Sequence, residues 1–134
     1  MRIALVACGK GKRDHPAPAR DLYSGALFRK ASAYCEATYD RWYILSAKHG
    51  LVDPETVVAP YDLSLSHLDR AERGAWAERV AEDLRRLDVL DAAFFLHAGE
   101  KYARPLEPLL GEAHRPLRGL GIGKQLAWYR ARGY

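Results

Sequence analysis

Three short apolar runs constrain this chain more than any other feature. They read RIALVAC (2–8), RWYILSA (41–47) and AAFFLHA (92–98). None alternates polar with apolar residues, so each needs cover on both faces, as central strands of a parallel sheet do. Between and after them lie helical patterns. ALFRKASAYCEATY (26–39) spaces Leu27, Ala31, Tyr34, Cys35 and Thr38 along one face, with Ser24 as a candidate N-cap. SHLDRAERGAWAERVAEDLRRLDVL (66–90) opens on a Ser66/Asp69 capping arrangement and carries Leu68, Ala75, Trp76, Val80, Leu84 and Leu87 as an apolar stripe. A short helix is expected within 99–111, punctuated by Pro105 and Pro108, and a closing helix over 124–133. The Gly/Pro segment 114–123 has room for a fourth strand.

Strands alternating with helices predict an α/β fold: three layers, a mostly parallel sheet with helices on both faces, and right-handed crossovers. The 134 residues contain no linker, repeat or low-complexity tract, so the expectation is one α/β domain over 1–134. No apolar run approaches the roughly 18–20 residues of a membrane span. The start, MRIALVAC, has no cleavage pattern, so the expected location is the cytoplasm. Two cysteines, Cys8 and Cys35, make neither a disulfide framework nor a metal-type pair, and the reading assigns no metal and no cofactor. The formal net charge of +4 permits a polyanionic partner without requiring one.

In an open parallel sheet, ligands bind beyond the carboxyl ends of the strands. The three loops that would share that edge are CGKGKR (8–13), SAKHGL (46–51) and HAGEKY (97–102). The first offers Cys8 as a nucleophile, or as a small buried hydrophobe, with Lys10 and Lys12 beside glycines that let backbone N–H groups approach an anion. It lacks the spacing of a P-loop and of a dinucleotide fingerprint. The second offers Ser46 and His49, the latter a general base near neutral pH or a loop-holding hydrogen bonder. The third offers Gly99, Glu100 and Tyr102 at a helix start, where Glu100 equally serves the helix dipole. His97 reads as a satisfied core residue. Gly123, Lys124 and Gln125 repeat the glycine-before-helix pattern near the end.

The segment LSAKHGLVDPETVVAPYDLSL (45–65) has neither helical nor strand periodicity. A long loop in a small domain is usually functional, and Pro54 and Pro60 stiffen this one. Tyr61 is a candidate for stacking on a ring, or for filling a hydrophobic gap. Asp62 is a candidate to accept from a ligand N–H or O–H, or to cap a turn.

Taken with CGK, LYSGALF, HAGEKY and GLGIGKQLAWY, that segment resembles a small bacterial and phage domain family with no assigned activity. The form S-x-x-H/Y-G-L-V-x-P followed by P-Y-x-L is also similar to a passage of the larger YaaA family of peroxide-stress proteins. Ser46, His49, Gly50, Leu51, Pro54, Pro60, Tyr61 and Leu63 match it. The YaaA resemblance implies a DNA-related α/β fold with a basic cleft. This chain is shorter, has no helix-hairpin-helix signature, and departs at Cys8-Gly9-Lys10, so the likeness extends to the cleft and not to duplex binding.

The expected function is handling of a nucleotide, nucleoside or modified base, with hydrolysis of an N-glycosidic bond as the candidate reaction. His49, Asp62 and Cys8 would be catalytic. Lys10, Lys12, Ser46, Tyr61, Gly99, Glu100, Tyr102, Gly123, Lys124 and Gln125 would bind substrate. The alternative is a non-catalytic module that binds nucleic acid through the same basic and aromatic groups. Neither reading involves a membrane.

Overall fold

The computed structural model describes residues 1–134. Its centre is a five-stranded sheet. Strand β1 spans Arg2–Ala7, β3 Arg41–Ser46, β4 Gly50–Val52, β6 Ala93–His97 and β7 Glu112–His114, in the order β4-β3-β1-β6-β7. β1 pairs in parallel with β3 and β6, and β6 with β7; only β4 runs antiparallel, at one edge. β2 (Ala17–Pro18) and β5 (Val57–Val58) form a separate antiparallel pair. The helices are α1 (Ala19–Leu22), α2 (Ala26–Thr38), α3 (Arg70–Arg86), α4 (Glu100–Leu106) and α5 (Ile122–Arg130). The α/β expectation and its mostly parallel sheet hold.

Alternate residues of the central strands feed two cores. Ile3, Leu5, Tyr43, Leu45, Phe94 and Leu96 pack with Trp76, Val80 and Leu84 of α3 and Leu106 of α4. Ala4, Val6, Trp42 and Ile44 pack with Phe28, Ala31 and Cys35 of α2 and Tyr129 of α5. Burial on both faces explains why the strands read as unbroken apolar runs.

Several boundaries differ from expectation; α3 ends at Arg86 rather than Leu90, and the closing helix spans Ile122–Arg130. Helix α3 begins at Arg70, because Asp69 accepts from Glu72 N–H at 2.8 Å while the Glu72 side chain returns to Asp69 N–H at 3.0 Å. Residues 65–67, which fall before that cap, form a separate 3-10 turn capped by Ser64. Gly25 rather than Ser24 is the N-cap of α2, and Ser24 lies one residue outside it, its N–H donating to Gly11 C=O at 2.9 Å. The fourth parallel strand lies at 112–114, ahead of the Gly/Pro segment proposed for it.

The segment 45–65 is only partly loop. Ser46 pairs with Gly50 across a tight hairpin whose Gly50 adopts φ of +71°, a left-handed conformation that favours glycine. Val57 and Val58 then pair with Pro18 and Ala17. The remaining stretch runs extended back to the sheet and delivers Tyr61 there.

Candidate functional site

The strand order places the topological switch at β1. The connection β1–β3 goes one way and β6–β7 lies on the other side. Cys8, directly after β1, is anchored by its N–H to Leu45 C=O of β3 at 3.1 Å. Its sulfur lies 3.8 Å from Tyr61 Oη and 3.8 Å from Tyr102 Oη. Tyr102 belongs to the first turns of α4, just after β6. The thiol therefore sits just past the carboxyl end of β1, the edge of the sheet at which ligands of doubly wound folds bind.

Below the thiol lies a hydroxyl network. Tyr61 Oη is hydrogen-bonded to Ser46 Oγ and, at 2.6 Å, to Tyr23 Oη. Ser46 is fully buried and Tyr23 nearly so, while Cys8, Tyr61 and Tyr102 are half-buried. Ser46 Oγ accepts His49 N–H at 3.1 Å, and Ser46 C=O accepts the Trp76 indole N–H at 2.8 Å, which ties the end of β3 to α3. Every buried polar side-chain atom is satisfied, so the network is preorganised rather than strained.

Burial is the main cause of the raised tyrosine pKa values. Tyr23 is pushed up to about 12, and Tyr61 and Tyr102 are pushed further in the same direction. These hydroxyls remain protonated, and so able to donate, throughout the neutral range.

Two ammonium groups approach the same rim. Lys12 Nζ lies 4.5 Å and Lys48 Nζ 5.7 Å from the Tyr61 ring centroid. Lys12 is carried there by a clasp in the first loop, where Arg13 N–H donates to Leu22 C=O at 2.8 Å and Lys12 bridges to Tyr23. His49 packs its ring edge-on against Tyr61 with centroids 5.2 Å apart. Partial burial, then the neighbouring Lys48 and Arg79 charges, hold its imidazole below the ordinary histidine value. His49 also borders a hollow of about 300 Å³ lined by Leu51, Val52, Val57 and Val58.

The structure thus gathers Cys8, Lys12, Ser46, His49, Tyr61 and Tyr102 at one rim. Gly99 caps α4 there. Asp62 is exposed beside Tyr61, and Lys10 is exposed, with its carbonyl accepting from Lys12 Nζ at 3.2 Å. Other candidates are not drawn in. Glu100 is tied to Arg115 and, at 3.7 Å, to Arg104; the Arg115 hydrogen bond lowers its pKa. Gln125 donates to Leu120 C=O at 2.8 Å, and Gly123 and Lys124 lie exposed on α5. Tyr61 is a keystone more than an open platform, because a ring reaching its face must displace an ammonium.

Sequence reasoning placed Lys48 in the second loop without giving it a role, and missed Tyr23 and the Trp76 indole as parts of the site. Tyr23 lay in a segment read as loop, and its Y-S-G context before a helix was the available signal. His97, read as a core residue, is one: its two ring nitrogens bond Tyr39 Oη at 2.8 Å and Tyr129 Oη at 2.7 Å.

No group of histidine, cysteine and acidic side chains forms a metal-type cluster, and no helix is long and apolar enough to cross a membrane. No solved structure matches the chain. The chain is similar to the uncharacterized protein YfjM of Bacillus subtilis (strain 168), at 27% identity over 146 residues, covering 99% of this chain and 89% of that one. A family model described as a family of unknown function, DUF6884, matches residues 3–131, and the chain belongs to that family.

Proposed function

We propose that the rim around Cys8 receives a nucleotide, nucleoside or modified base, and that the reaction is hydrolysis at an N-glycosidic bond. The observation that carries the reading is the meeting of the Cys8 thiol with the Tyr61 and Tyr102 hydroxyls at the sheet's switch point, under the Lys12 and Lys48 ammonium groups. Lysine charge suits a phosphate or another anion. The apolar hollow beside His49 suits a flat ring.

In the reaction, water adds to the anomeric carbon as the carbon–nitrogen bond breaks. His49, neutral at physiological pH, takes the proton from that water. Asp62 supplies negative charge to the sugar as it becomes cationic, and solvent reprotonates the departing nitrogen. Protonated tyrosine hydroxyls orient the substrate's oxygens. The protein works without a membrane, and the cytoplasm is the compartment this chemistry fits.

A thermal-shift panel of nucleotides, modified nucleosides and free bases tests the reading. A ligand at about a hundred times its Kd adds roughly 2.7 kcal/mol of stability, a rise of several degrees. The rise should vanish in Lys12→Gln. A panel without any shift overturns the proposal.

A further inference from the structure

The N-terminal part of α3 and helix α4 lie side by side, with the rings of Trp76 and Tyr102 5.5 Å apart at the seam. Along that seam runs a hollow of about 530 Å³. Arg70, Arg73, Lys101 and Arg104 line it, against Glu78 and Glu100. Glu100 is already engaged by Arg115. Arg70, Arg73 and Lys101 form no ion pair, although Arg73 Nε also donates to Leu65 C=O at 2.9 Å. The groove thus carries four cations against two carboxylates, with Arg104 alone of the four in an ion pair. Pro105 and Leu109 are its apolar side chains, so it offers little to a peptide and much to a repeating anion.

The groove lies close to the rim, because Lys101 and Tyr102 share the first turn of α4. Lys101 is in the groove, and Tyr102, the next residue, reaches Cys8. Consecutive residues of a helix project about 100° apart, so a strand lying in the groove reaches the rim by bending around the first turn of α4. The rim groups are half-buried, which suits a base that is unpaired and free to leave its stack.

We propose that the α3–α4 groove is a track for the sugar–phosphate backbone of a single-stranded nucleic acid, one nucleotide of which enters the rim at Cys8, Tyr61 and Tyr102. The inference rests on the reading of that rim as a nucleotide receptor, and it names the substrate as a strand rather than a free nucleotide. Arginine forks suit phosphate oxygens, and a charged groove leading to aromatic groups is how unpaired strands are commonly held.

The test uses fluorescence anisotropy with a labelled oligothymidylate of about eight nucleotides, a length within single-strand site sizes. The variant is Arg70→Gln/Lys101→Gln/Arg104→Gln; all three side chains are exposed, and circular dichroism checks the fold. Removing three phosphate contacts should flatten the log–log salt dependence by about 2 and weaken binding at least tenfold, roughly, near physiological salt. The thermal shift with thymidine monophosphate should be unchanged in the same variant. Unaltered oligonucleotide affinity and salt slope overturn the groove and leave the rim reading standing. Failure of every mononucleotide, nucleoside and free base to bind the wild type overturns the rim reading. Tighter binding of duplex DNA, or equal competition by inorganic polyphosphate, overturns the assignment to a single strand.

Discussion

Cys8 and Tyr102 are separated by most of the chain, yet their Sγ and Oη atoms lie 3.8 Å apart across the β1–β6 junction. The thiol is half-buried, whereas Cys35 is fully buried with its thiol pKa pushed up by burial. One alkylation per native chain is expected with iodoacetamide, and it should map to Cys8 by mass spectrometry. A ligand seated at the rim should slow that reaction, leaving the slow reaction of Cys35 unaltered.

Tyr61→Phe removes the hydroxyl shared by Ser46, Tyr23 and Cys8. It leaves the buried Tyr23 and Ser46 hydroxyls each one partner short. The expected loss is about 1–3 kcal/mol, read by urea denaturation. Ligand-induced stabilisation should fall with it, whereas a site independent of Tyr61 would keep its full shift.

His97 titrates in the folded protein at about 4, displaced by burial from 6.5. The unfolded chain therefore binds the extra proton at higher pH than the native one. This histidine's contribution is complete above about pH 6.5 and is lost as pH falls toward 4. The total is of order 3 kcal/mol. A His97→Gln variant should lack that part of the acid destabilisation when unfolding free energy is followed from pH 7 to 4.

Gly50→Ala places a side chain at φ of +71°, with the new Cβ 3.0 Å from Arg79 Nε. The conformational penalty is roughly 1–2 kcal/mol. The hairpin that sets Lys48 and His49 should loosen, visible as a lower urea midpoint and weaker ligand binding together.

The fold was legible because burial on both faces leaves a strong mark: runs 2–8, 41–47 and 92–98 are all core strands, trimmed by a residue or so. The short strands at 50–52, 57–58 and 112–114 were not legible, since two or three residues carry no period. At the site, Cys8, Ser46, His49 and Tyr102 were readable from the rule that strand ends share an edge, and Tyr61 from the long proline-stiffened segment 45–65. Glu100, by contrast, has a partner in Arg115, fifteen residues ahead in an irregular stretch, and local sequence says nothing of that pairing. Tyr23 joins the site through its hydroxyl bond to Tyr61 and the clasp with Lys12, long-range pairings that no spacing announces.

The most direct check on the central claim is an amide NMR titration of the wild-type protein with the nucleotide that gives the largest thermal shift. The account predicts that the perturbed resonances concentrate at residues 8–12, 46–49, 61–62 and 99–102. Perturbations confined to other parts of the surface, with those four segments unmoved, would contradict it.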